Sequence, residues 1–352
     1  MSTHSTRSGG ETEPLDAPQS LVGRSLDGDY RLQEMINLGG MGIIFRADQI
    51  STGRTVAVKV LKPSKSGEMN LMQRFEREAE VLAELSHPNI VTLIDSGRDA
   101  GGLSYVAMEF VKGATFRRVL DNGNLSLQEI LDVFAKTTSA LAEAHAADVI
   151  HRDMKFDNIM VCRQADGHLR VTVLDFGVAK PMASRGKLEL TRKGQVPGTP
   201  SIVAPELVDE EPPTPRSDLY SLGVLVYEAL TGEPPFEGEN DLELMRAHKT
   251  EELPELRDRV PRYVPDSLVD LTERLLEKEP ERRPTSAAAV RADLERIRRQ
   301  LWELPIEGHT FEPDDEGPEE FQKYSDRAER TASGAEDSDE DVPDWVQSFF
   351  DD

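Results

Sequence analysis

The chain has 352 residues, 38% hydrophobic and 30% charged, with a formal net charge of −25 at pH 7. This is enough apolar material for a large core and more than one lobe. No run approaches the roughly 20 consecutive apolar residues of a membrane-spanning helix, a single cysteine excludes an internal disulfide framework and fits a reducing compartment, and so acidic a chain is repelled by a phosphate backbone, which argues against nucleic-acid binding.

Residues 1–26 are rich in Ser, Thr, Gly and Pro and lack an apolar signal segment, so a disordered tail on a cytoplasmic protein is expected. From Tyr30 to Val111, the runs Ile43-Ile44-Phe45, Thr55 to Val60, Ile90 to Leu93 and Tyr105 to Met108 read as strands around one helical segment, about Leu71 to Leu85. Residues 27–111 are therefore expected to form a small antiparallel sheet with one helix. The helical period then dominates: spaced apolar residues predict helices over Ile130 to Ala147, Asp218 to Leu230, Leu268 to Leu276 and Ser286 to Leu301. Residues 112–301 thus form a mostly helical lobe, with Gly113 near the join. The fold expected is α+β and bilobal. Cys162 lies in an apolar run and reads as a small buried residue.

Beyond the helices, Glu303 to Asp352 carries 18 acidic and 3 basic residues, a balance of −15 that leaves −10 for the other 302 residues. The acidity is concentrated in a tail, residues 302–352, too poor in apolar side chains to offset the entropy of ordering. Its end, Val342 to Phe350, restores aromatic bulk with Trp345, Phe349 and Phe350. It is either a solvated terminus with incidental aromatics or a short motif that docks on a cytosolic regulatory protein or on the folded part of the chain.

Chemistry gathers at His151-Arg152-Asp153-Met154-Lys155-Phe156-Asp157-Asn158, followed by Asp175-Phe176-Gly177. A carboxylate able to accept a hydroxyl proton, a lysine for a moving phosphate and two oxygen donors for Mg²⁺ make a complete set for phosphoryl transfer. An Asp in a polar loop is most often a turn residue, yet that leaves Lys155 and Asn158 unexplained, as well as the strand-like Ile159-Met160-Val161 after them. Upstream, Asn37-Leu38-Gly39-Gly40-Met41-Gly42 lies between two strands, where missing β-carbons let backbone approach phosphate oxygens; alone, such glycines are ordinary turn residues. Lys59 ends an alternating strand whose apolar neighbours predict burial. Glu78 is turned inward on the one helix by Phe75, Val81 and Leu82, and would supply the partner a buried cation needs.

In these motifs the chain resembles the bacterial Hanks-type (eukaryotic-like) protein Ser/Thr kinases over Leu26 to Leu301, about four fifths of its length. The resemblance implies ATP as phosphate donor with Mg²⁺, or Mn²⁺ in its place, and Ser or Thr of protein substrates as acceptor. Asn37, Leu38, Gly39, Gly40, Met41 and Gly42 would roof the phosphates, Lys59 would hold the α and β phosphates, and Glu78 would position Lys59. Asp153 would be the catalytic base, Lys155 would contact the γ phosphate, and Asn158 and Asp175 would ligate the metal. Adenine would lie between Ile36, Ile44 and Ala57 above and Met160 below, with Met108 as gatekeeper and Glu109 and Val111 offering backbone hydrogen bonds. Gly198-Thr199-Pro200, Ala204-Pro205-Glu206, Asp218 and Arg283 match further family positions, Glu206 and Arg283 as a buried ion pair. Lys155 and Thr199 match the Ser/Thr rather than the Tyr branch.

Three residues depart from the family pattern: Asn37 at the first roof glycine, Phe156 where a proline follows the lysine, and Ile202 where an aromatic precedes Ala-Pro-Glu. Phe156 is expected to alter loop stiffness, and Ile202 substrate preference. Arg152 beside Asp153 resembles kinases whose activation segment is ordered by a phosphate, with Thr191 the first candidate, Ser184 and Thr199 behind it, and Lys193 where a second threonine is frequent. Two other readings stand beside the kinase: a pseudokinase scaffold, which normally loses Lys59, Asp153 or Asp175, and a small-molecule phosphotransferase, which lacks the Gly-Thr-Pro to Ala-Pro-Glu segment. Dimerisation is left open.

Overall fold

The computed structural model describes residues 18–38, 42–61, 79, 83–123, 125–176 and 199–303. The first lobe is a six-stranded antiparallel sheet of β1 (Ser25–Leu26), β2 (Tyr30–Leu38), β3 (Gly42–Gln49), β4 (Arg54–Leu61), β5 (Leu93–Arg98) and β6 (Ser104–Glu109), in the order β1-β2-β3-β4-β6-β5. Period-two alternation decides which face is core. Val56, Val58 and Val60 are buried, with Leu26, Leu32 and Phe45 in the same cluster, while Ala57 and Lys59 are half-buried on the other face. Gly42 pairs with Leu61; a β-carbon on Gly42 would stand 2.6 Å from the Val60 carbonyl oxygen, so close pairing at this end of the hairpin requires the glycine.

Two expectations are corrected here. The tail predicted to run through Leu26 is already part of the fold from Pro18: Pro18–Leu21 is a 3-10 turn, and Leu21 and Leu26 are 6% and 0% exposed in the sheet's core. Arg24 Nη2 ties this strap to Asp99 Oδ2 at 2.5 Å. Averaging composition over 26 residues hid two leucines at its end. The strand expected from Ile90 starts only at Leu93, because residues 89–91 bond to the other lobe. Val91 N–H donates to the Val173 carbonyl at 3.0 Å, Val173 N–H to that of Asn89 at 2.8 Å, and Asn89 Nδ2 to that of Val171 at 2.7 Å.

The second lobe contains β7 (Ala114–Thr115), α1 (Phe116–Asp121), α2 (Leu127–Ala146), β8 (Ile159–Arg163), β9 (Leu169–Val173), α3 (Pro205–Val208), α4 (Pro215–Thr231), α5 (Asp241–Thr250), α6 (Asp266–Leu275) and α7 (Ala287–Glu303). Helix α2 starts earlier than its apolar spacing indicated, because Ser126 and Glu129 form a capping box that satisfies the first free N–H groups. Helix α4 begins at Pro215 and ends at Gly232, whose φ of 81° is left-handed. One apolar core joins α2, α4, α6 and α7 through Phe134, Leu141, Leu222, Leu271 and Leu294. Val149-Ile150, ahead of the loop, is irregular, and Cys162 on β8, expected to be buried, is only partly so. At the join Gly113 has φ 120°, and a β-carbon there would lie 2.3 Å from the Val161 carbonyl oxygen.

Glu206 of α3 and Arg283 form the ion pair anticipated from the motif, at 2.8 Å, with side chains 4% and 0% exposed. Arg283 also donates to the carbonyls of Arg216, Glu277 and Lys278, and Ser217 Oγ donates to Glu206 at 2.7 Å. Arg283 holds Glu206 below the usual carboxylate range against the opposing effect of burial. Removing one partner strands a buried charge, so Arg283→Ala is expected to cost about 3–5 kcal/mol of stability, read as a lowered urea midpoint near neutral pH.

Candidate active site

The loop from His151 to Asn158 is held from below by one buried carboxylate. Asp218 on α4 is 1% exposed. It accepts the backbone N–H of His151 and of Arg152, each at 2.8 Å, and His145 Nε2 lies 2.8 Å away. Arg152 takes φ 63°, a left-handed turn that points both amides at the same acceptor. His151, fully buried, donates from Nε2 to the Leu174 carbonyl at 3.0 Å and accepts the Asp153 N–H on Nδ1 at 3.2 Å, which fixes its neutral tautomer. Its ring lies 4.7 Å from that of Phe176.

Above this base sit the groups that the sequence singled out. Asp153 Oδ1 accepts the Thr199 hydroxyl at 2.8 Å, and Oδ2 lies 3.6 Å from Lys155 Nζ. Asn158 Nδ2 donates to the Asp153 carbonyl at 2.8 Å, and the Asn158 carbonyl accepts Leu174 N–H at 2.8 Å. The chain then turns left-handed at Asp175, φ 45°, whose Oδ1 meets Lys59 Nζ at 2.8 Å across the lobes. Lys59 is half-buried as its strand pattern required, with its side chain 20% exposed.

The roof face of the sheet follows from register. Ile44 pairs with Lys59, and Ala57 with Met108, so these four side chains share the face opposite the core. Glu109, Val111 and Met160 are half-buried, and Ile36 and Leu38 are 40% and 50% exposed, apolar groups left uncovered at the cleft. Asn37 pairs with Ile44 at the end of β2. Gly39, Gly40, Met41 and Glu78 lie outside the described residues, as do Gly177, Ser184, Thr191, Lys193 and Gly198; Ala79, next to Glu78, packs on Val106 at 1% exposure.

Three features escaped the sequence. Asp218 matched a family position, but its grip on two consecutive amides 66 and 67 residues away has no local signature. Phe156 is 1% exposed and stacks edge-on to Phe116 at 5.4 Å, with the Arg117 guanidinium 4.4 Å from its centre. It anchors the loop by packing on α1. Glu109, at the lobe connection, accepts Thr92 N–H and pairs with Arg170 of β9 at 3.0 Å.

Comparison with known proteins places this geometry. Residues 30–294 match the protein kinase domain family. The chain is 37% identical over 279 residues to the serine/threonine-protein kinase pkn3 of Myxococcus xanthus and 39% identical over 283 residues to PknA of Mycobacterium tuberculosis, covering 78% and 77% of this chain. It spans 51% and 63% of those relatives' own length. Among solved structures, the PknI kinase domain of Mycobacterium tuberculosis aligns with a TM-score of 0.60 at 25% identity, covering 79% of this chain and 98% of that one. A fragment of Rad53 in complex with AMP-PNP aligns with a TM-score of 0.59 at 29% identity, covering 75% and 64%.

Burial holds the His151 imidazole below its ordinary range, against the opposing pull of Asp218. The unfolded chain takes up a proton here as pH falls through about 6.5 and the folded chain does not, so this contribution to stability is present above about pH 6.5 and is lost below it. Unfolding by urea at about pH 7.5 and about pH 5.5 checks this: wild type loses stability on acidification, and His151→Phe shrinks the difference.

Proposed function

The chain belongs to the protein kinase family, and from that premise we propose that it is a protein serine/threonine kinase of bacterial cytosolic signalling, transferring the γ-phosphate of ATP to Ser or Thr hydroxyls of proteins. The observation that carries this reading is the 2.8 Å hydrogen bond from the Thr199 hydroxyl to Asp153, with Lys155 Nζ 3.6 Å from the same carboxylate. A β-branched alcohol already occupies the donor position that an acceptor Ser or Thr would take. Asp153 accepts the proton as the alcohol attacks, and Lys155 offsets charge on the transferred group. Lys59, placed by β4, holds the donor's phosphates; Ile36, Ile44, Ala57, Met108 and Met160 enclose the base, and Glu109 and Val111 offer it backbone groups.

Asn158 and Asp175 suit Mg²⁺. Asn158 Nδ2 is committed to the Asp153 carbonyl, which leaves Oδ1 as its free-acceptor atom, and with the Asp175 carboxylate this gives a hard oxygen donor set. Among the described residues no group of three or more His, Cys, Asp or Glu could hold a metal, as fits a cation bound by two side chains and the phosphates rather than by an all-protein cage. The ion would neutralise phosphate charge.

Arg152 supports control by autophosphorylation of the activation segment, with Thr191 the first candidate. The acidic tail is proposed to recruit a cytosolic regulatory protein; no helix among the described residues is long and apolar enough to cross a membrane.

With Mg-ATP and a basic protein substrate, purified protein is expected to transfer phosphate, and Asp153→Asn to lower the rate about 10²–10⁴-fold. Nucleotide binding without transfer under varied metals would instead support a scaffold. Intact mass of wild type and Asp153→Asn checks self-modification: phosphate in the activation segment is expected in the first and absent in the second.

A further inference from the structure

Asp218 fixes the first two residues of the loop that runs from His151 to Asn158. Lys155 and Asn158 lie at its other end, in and beside the 3-10 turn Phe156–Asn158. There Asn158 N–H donates to the Lys155 carbonyl at 3.0 Å, and Ile159 N–H donates to that of Phe156. Asp157 is exposed and Lys155 half-buried, so the apolar anchor of this turn is Phe156. Two successive residues of α1 hold its ring. Phe116 meets it edge-on at 5.4 Å and is itself edge-on to Phe134 of α2 at 5.4 Å. The Arg117 guanidinium carbon lies 4.4 Å from the Phe156 ring centre, within cation–π range. A proline, which follows the lysine in the family pattern, offers no such face.

The other partner of this cation separates it from an incidental contact. Arg117 Nη1 donates to Glu228 Oε1 at 2.7 Å, with the two side chains 39% and 18% exposed. Glu228 stands in the last turn of α4, where a carboxylate meets the negative end of the helix dipole and gains from a cation. The same helix carries Asp218 ten residues earlier, about 15 Å along its axis. One helix is therefore the reference for both ends of the loop. Asp218 reaches the amides of His151 and Arg152; Glu228, through Arg117, reaches the ring next to Lys155. Arginine suits this link, because its planar fork can lie on a ring while one N–H reaches a carboxylate, whereas a lysine ammonium has no plane to stack.

We propose that Arg117 is a positioning residue for phosphoryl transfer, tying the Phe156 ring to α4 and so holding Lys155 and Asn158 in place relative to Asp153, a role that rests on the kinase reading above. Packing on Phe116 keeps the ring out of water. The Arg117 to Glu228 link adds what packing does not, a second attachment to the helix that fixes the start of the loop.

The test compares wild type with four variants: Arg117→Met, which keeps the unbranched stem and removes the planar cation; Phe156→Leu, which keeps an apolar anchor and removes the ring; their double variant; and Glu228→Gln. With Mg-ATP and the basic protein substrate, Arg117→Met is expected to lower kcat about fivefold while KM for ATP stays within about twofold. The double variant is expected to fall at most about twofold below the weaker single variant, because both changes cut the same path. Hydrogen exchange of the full chain, which needs no turnover, is expected to quicken about fivefold at the amides of Asn158 and Ile159 in Arg117→Met and in Glu228→Gln, with those of His151 and Arg152 unchanged. If wild type transfers no phosphate, the kinase reading fails, and the exchange measurement still judges Arg117. Unchanged exchange at Asn158 and Ile159, equal quickening at both ends of the loop, a raised KM for ATP with kcat unchanged, or additive losses in the double variant would each overturn the proposal. Should Phe156→Leu fail to fold, Arg117→Met and Glu228→Gln, at partly exposed positions, still decide it by exchange.

Discussion

A single desolvated carboxylate fixes the geometry of the cleft. Burying Asp218 is unfavourable unless its oxygens are fully bonded, and they are taken by two consecutive backbone amides and an imidazole. Those amides belong to His151 and Arg152, so the loop can hardly rotate without stranding the charge. From there the order passes along a series of bonds: His151 to Leu174, Asn158 to the Asp153 carbonyl, Leu174 to the Asn158 carbonyl, and Asp175 to Lys59. A helix of one lobe thereby sets the position of a lysine on a strand of the other.

Two kinds of ion pair coexist along this path. Glu206 and Arg283 are dry, and every oxygen and nitrogen of the pair is bonded, so opening it leaves charge with nowhere to go. Lys59 and Asp175, like Lys155 and Asp153, are partly solvated, and pairs at such exposure hold each other weakly. A polyphosphate with its cation can compete for both charges of a pair at once. The permanent pair ties α3 to the segment before α7, and the exchangeable pairs lie on the loop after Ile150 and across the lobes.

The sequence was most legible where chemistry and periodicity are local. Lys59, Asp153, Asn158 and Asp175 lie close in space because strand alternation and the short loop after Ile150 constrain them, and the major helices appeared where their apolar spacing placed them. What was not legible depends on distant partners. The strap from Pro18 to Leu26 is ordered by a sheet face that composition does not reveal. Residues 89–91 read as a strand because their side chains are apolar, but their backbone groups are taken by β9. Phe156 looked like a change in loop stiffness; its effect is packing against Phe116, forty residues earlier.

Among the described residues the lobes are joined covalently through the stretch after Glu109, by the bonds of Asn89 and Val91 to Val171 and Val173, which form a short parallel bridge at Ile90, and by the side-chain pairs of Glu109 with Arg170 and of Lys59 with Asp175. The covalent link and the backbone bonds resist separation more than the partly solvated side-chain pairs do, so rotation about a line through them is the motion they oppose least. Opening and closing of the cleft is then a swing with one degree of freedom. Its amplitude at Lys59 is set by the distance of β4 from that axis, and the Lys59 to Asp175 gap is the coordinate along which it can be followed.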